Sequence, residues 1–67
     1  MPKRYSTRGI ELVLLAHGFL LVSQRGSHRK YSMGEFVVIV PAGRKEIRQG
    51  TFHSILRQSG LPRSAFD

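Results

Sequence analysis

The chain contains no cysteine and no tryptophan. Without a thiol it has no disulfide, no zinc–thiolate centre and no cysteine nucleophile. Acidic residues are scarce, with four Asp and Glu against eleven Lys and Arg, a net charge of +7 over 67 residues. Long apolar runs are missing as well. None exceeds the five residues of 12–16, far short of the ~20 needed to cross a bilayer. The basic N-terminus (Met1, Pro2, Lys3, Arg4, Tyr5) is followed by no apolar core of a secretory signal, so the cytoplasm is the expected location. Repeats and low-complexity segments are absent too. The apolar fraction of 40% is too high for a disordered basic tail and too low for a membrane protein.

This length holds one small domain, here spanning 1–67, with 1–6 as a basic arm and 62–67 as a C-terminal tail. Such a domain buries only about 60% of its unfolded surface, and below roughly 70–80 residues stability usually draws on disulfides, a metal or a partner. Disulfides are excluded and no ligand cluster offers a metal site, which leaves a partner. The positive charge points to a polyanion, nucleic acid first, and to an acidic protein second.

Ser6 and Thr7 are N-cap types. Ile10, Val13, Leu14 and His17 then recur at helical spacing, with Leu12 and Leu15 widening the stripe, and Gly18 suits the stop. A helix is expected over 7–17. Residues 19–25 read as a strand, Gly26 and Ser27 as a turn, and 28–33 as a second strand. Its alternation puts His28, Lys30 and Ser32 on one face and Arg29, Tyr31 and Met33 on the other. After the Gly34–Glu35 turn, the solid apolar run 36–40, closed by Pro41, reads as a central strand or one covered on both faces. A polar loop over 42–50 carries Arg44, Lys45 and Arg48. A second helix is expected over 51–59, N-capped by Gly50 or Thr51. Phe52, Ile55, Leu56 and Ser59 lie along one side of it, and Gly60, Leu61 and Pro62 end it. The expected fold is therefore α+β, in the order α-β-β-β-α: a three-stranded antiparallel sheet with two helices packed on one face and the other face open. That topology is similar to a double-stranded-RNA-binding domain (dsRBD-like).

Histidines are the side chains that titrate near neutral pH. His17 falls at a helix C-terminus, where it reads as a cap, and His53 reads as solvent-facing. His28 opens a strand directly after a glycine turn, amid Arg25, Arg29 and Lys30. Neighbouring cations disfavour a charged imidazole, which leaves a neutral ring able to take a proton beside groups that bind phosphate.

The run Arg25-Gly26-Ser27-His28, followed by Tyr31, a Val-rich strand ending in Pro41, Lys45-Glu46-Ile47, Gly50-Thr51 and Ile55-Leu56-Arg57-Gln58-Ser59-Gly60-Leu61, resembles the HicA toxin family over about Thr7 to Leu61. The resemblance implies a toxin of a type II toxin–antitoxin system, an endoribonuclease (mRNA interferase) that cleaves mRNA without the ribosome. It implies His28 as the catalytic residue and a HicB-type antitoxin covering the His28 face, with no cofactor, metal or membrane involved. Arg25, Gly26, Ser27, Arg29, Lys30 and Lys45 are then the RNA-binding candidates. In one respect the sequence departs from the family. Many members carry a second histidine just after the strand-ending proline, whereas Ala42, Gly43 and Arg44 stand here. That contribution is absent, or replaced by Arg44 or Lys45. The alternatives are a non-catalytic dsRBD-like RNA-binding module and a domain that binds only protein. Against the former, the start of the second helix (Gly50, Thr51, Phe52, His53) offers no lysine.

Overall fold

A computed structural model describes residues 4–67. The elements run α1 (Thr7–Ala16), β1 (Leu20–Arg25), β2 (His28–Met33), β3 (Phe36–Pro41), α2 (Gln49–Ser59) and a short 3-10 turn, Arg63–Phe66. The strands form one antiparallel sheet in the order β1-β2-β3, giving the expected α-β-β-β-α architecture.

Ser6 caps α1. Its backbone is extended, and its hydroxyl accepts the Gly9 N–H at 3.0 Å. Thr7, the other cap candidate, is inside the first turn and buried, and it ties down the loop after β3. The Thr7 N–H donates to the Arg44 carbonyl at 2.9 Å. Its hydroxyl donates to the Pro41 carbonyl at 2.6 Å and accepts the Arg44 N–H at 2.9 Å. At the other end His17 acts as the expected cap, with ring Nδ1 2.9 Å from the Val13 carbonyl while the residue stays exposed.

Ile10 and Leu14 of α1 are fully buried. Leu12 and Leu15 do not widen that stripe: they are 56% and 47% exposed. At 100° per residue the inward arc runs through positions 10, 14 and 11, so Glu11, not a leucine, occupies the buried flank.

β3 also departs from expectation. It is an edge strand, since two tight hairpins make β2 the central one. Only its alternate residues Val38 and Val40 are buried, whereas Phe36, Val37 and Ile39 are exposed. It runs one residue further, through Pro41, which an edge position tolerates. α2 packs along β3, and the Gln58 side-chain carbonyl accepts the Ile39 N–H at 2.9 Å, closing that edge. The opposite edge, β1, stays open. All six of its residues are exposed, and a bulge falls between Leu21 and Ser23, leaving Val22 without a partner in register.

α2 begins two residues earlier than expected. Arg48 is its N-cap residue and makes no side-chain capping bond. Gly60 ends it at φ +69°, and a Cβ there would lie 2.6 Å from the Phe36 ring, so both backbone and space demand glycine. The 62–67 stretch returns Phe66 to the core, 4% exposed. There Tyr5 stacks on Phe52 with ring centroids 3.9 Å apart, and Phe66 meets Phe52 edge-on at 5.5 Å. Tyr5 thus belongs to the core rather than to a free arm; residues 1–3 of that arm lie outside the described residues.

Candidate active site

His28 is held through its backbone while its side chain is exposed. Gly26, at φ +55°, is the first of the two turn residues, the place where a tight hairpin favours glycine. The Ser27 carbonyl accepts the Ala42 N–H at 2.6 Å, which joins the β1–β2 turn to the end of β3. Gln24 Nε2 donates to the Gly26 carbonyl at 3.2 Å. His28 itself pairs with Arg25 on one side and Pro41 on the other.

The pairing defines what shares the open face of the sheet. One row is Arg25, His28 and Pro41; the next in the same sense is Ser23, Lys30 and Ile39. A shallow hollow is lined by Ser23, Arg25, His28, Lys30 and Ile39. On its other side His28 borders a second hollow of about 420 Å³, between the end of β3 and the start of α2, where Pro41, Arg44, Ile47, Arg48 and Thr51 also line the wall. The imidazole therefore stands at the junction of two cation-lined concavities.

The expected site residues separate into three groups. His28, Arg25 and Lys30 come together on the open face, with Gly26 and Ser27 supplying the turn that presents them. Arg29 goes to the opposite face. Its Nη1 donates to both Glu11 carboxylate oxygens, at 2.9 and 3.0 Å, and the Tyr31 hydroxyl donates to the same carboxylate. The bonded carboxylate raises the Arg29 pKa, keeping it charged, while burial first and Glu11 second push the Tyr31 phenol up to about 12. Arg29 Nε is buried without a partner among the described residues. Lys45, in the third group, lines a separate hollow with Arg8, Glu11 and Arg29 and does not reach the His28 hollows.

Three contributors went unread in the sequence. The sequence signal for Glu11 is its place between the core positions Ile10 and Leu14. Thr7 looked like a cap, and nothing local reveals its grip on Arg44. Arg48 was one loop cation among three until α2 began at Gln49. His17 and His53 stand outside both hollows.

Among the described residues no group of three or more His, Cys, Asp or Glu could hold a metal ion, and no helix is long and apolar enough to cross a membrane. A family model described as "HicA toxin of bacterial toxin-antitoxin" matches residues 8–61, four-fifths of the chain. No curated protein matches.

Proposed function

Because the chain belongs to the HicA toxin family of bacterial toxin–antitoxin systems, we propose that it is a metal-independent endoribonuclease that cleaves mRNA, with His28 as its proton-transfer group. The observation that carries this reading is the placement of His28. Its exposed imidazole sits on a backbone pinned by the Ser27–Ala42 bond, beside Arg25 and Lys30 on an otherwise unobstructed sheet face.

RNA carries its own nucleophile. Attack of the 2′-oxygen on the adjacent phosphorus forms the new P–O bond, the P–O5′ bond breaks, and a 2′,3′-cyclic phosphate and a 5′-hydroxyl result. The 2′-OH gives up one proton and the departing 5′-oxygen takes one. His28 is the open-face side chain suited to proton transfer at neutral pH, worth typically 10²–10⁴-fold. Arg25 and Lys30 stabilise the charge that builds on the phosphorane oxygens. The exposed turn at Gly26 and Ser27 lets the strand approach the backbone closely.

The same face would receive a HicB-type antitoxin. A net charge of +7 favours an acidic inhibitor, and one seated over His28 shuts out RNA sterically. That complex is expected to weaken as salt rises.

The test is cleavage of a defined single-stranded RNA by the protein and by His28→Ala, both in excess EDTA. Cutting by the former alone, with the variant still folded, is the expected result. Equal cutting by both overturns the assignment of His28. Binding by both without cutting replaces the reading with a non-catalytic RNA-binding module. A 2′-deoxy substitution at the cut site is expected to block the reaction.

A further inference from the structure

Two hollows meet at His28, and Arg25 and Lys30 line only one of them. The other is lined by the exposed Ile39, the half-buried Pro41 and the largely buried Ile47, and carries Arg44 and Arg48 in its wall with Thr51. Both arginines are exposed, and neither makes an ion pair among the described residues. Their backbones are nevertheless fixed. Thr7 bonds both the N–H and the carbonyl of Arg44, and Arg48 is the N-cap residue of α2. The one carboxylate in the lining, Glu46, already meets Arg4 Nε at 3.3 Å, which lessens its repulsion of an anion. At about 420 Å³ the hollow falls in the range of small-ligand pockets, ~300–1,000 Å³.

Two unpaired guanidiniums beside apolar side chains match a nucleotide. The fork geometry of arginine suits phosphate oxygens, and Ile39 and Pro41 suit a ribose or base edge. We propose that this hollow is a second phosphate subsite, in which Arg44 and Arg48 hold a backbone phosphate of the RNA strand across His28 from Arg25 and Lys30. The inference rests on the RNA reading above and deepens it. A strand gripped on both sides of His28 is drawn across the imidazole rather than tethered at one end. Of the two stand-ins considered for the missing family histidine, this placement gives Arg44 a role and leaves Lys45 outside.

The experiment measures binding of a short single-stranded 2′-O-methyl oligoribonucleotide, which cannot be cut through a free 2′-OH, as a function of salt. The proteins are the unmodified chain, Arg44→Gln/Arg48→Gln, Arg25→Gln/Lys30→Gln and the equally discharged control Arg8→Gln/Arg57→Gln. The expected result is at least tenfold weaker low-salt binding for Arg44→Gln/Arg48→Gln, with a log–log salt slope shallower by about 0.7. The loss should match that of Arg25→Gln/Lys30→Gln and exceed that of the control. An Arg44→Gln/Arg48→Gln variant that binds like the unmodified chain, or loses no more than the control, overturns the subsite while leaving the nuclease reading intact. Failure of the unmodified chain to bind even at low salt overturns both.

Discussion

Arg29 and Lys30 are neighbours in sequence, equal in charge, and opposite in use. Alternation along β2 sends Arg29 to the helix side, where Glu11 takes its guanidinium and Tyr31 adds a hydroxyl to the same carboxylate. Lys30 goes to the open side and lines a hollow with Arg25 and His28. The helix side of the strand is a closed polar knot set into the core wall. On the open side Arg25 and Lys30 make no ion pair among the described residues. A cation is thus read by its face before its charge: the net +7 measures attraction at long range, whereas the pleat decides which charges meet a ligand.

The two sides of β2 differ most in what the loss of one group does. On the open side, His28→Ala should lower cleavage by about 10²–10⁴-fold while the urea midpoint stays put, since the exposed ring adds little to packing; single-turnover cleavage and a denaturation curve check both halves. On the helix side, Glu11→Ala should do the reverse. It leaves the buried Tyr31 hydroxyl without its acceptor, at a cost of about 1–3 kcal/mol, and strands Arg29 as well. The midpoint should fall, while cleavage per folded molecule holds.

The pH dependence of stability sharpens the contrast further. The Tyr31 pKa lies near 12 in the folded protein, above its ordinary value of 10. The folded state therefore holds this proton more tightly than the unfolded chain does. That contribution is complete below pH 10 and is lost as the pH rises toward 12, an amount of order 2 kcal/mol. Alkaline unfolding followed by circular dichroism should show the loss, and Tyr31→Phe should flatten it. The smallest effect belongs to a single open-face cation. Lys30→Gln should weaken RNA binding a few-fold and lower the log–log salt slope by about 0.7, with less change for Lys45→Gln, whose hollow lies apart from His28.

How far the sequence carried the fold follows from which signals are local. The α-β-β-β-α order was legible because Gly18, Gly26, Gly34 and Gly60 punctuate the chain at positive φ and because period two along 28–33 needs no tertiary information. The pair of His28 with Lys30 came from that alternation alone. Strand order was not local. The apolar run 36–40 suggested a central strand, but tight hairpins on both sides of β2 push β3 to the edge, and α2 covers it from the side. Leu12 and Leu15 are apolar in type, but their angle around α1 turns them outward and gives the buried flank to Glu11. The link from Thr7 to Arg44 spans 37 positions, and the return of Phe66 onto Tyr5 and Phe52 is a contact between chain ends. Neither leaves a trace in local pattern.

The open β1 edge has a consequence for the colloid rather than the catalyst. Leu20, Leu21 and Val22 are 66%, 48% and 56% exposed on a strand whose outer backbone faces no other strand of the sheet. A straight, sticky edge of that kind invites copies to add end on end into ribbons. The unpaired Val22 interrupts the ladder and increases its twist, so that one chain's edge is a poor template for the next. One surplus residue thus makes the edge less regular where a chain too small to bury all of its own leucines leaves them exposed.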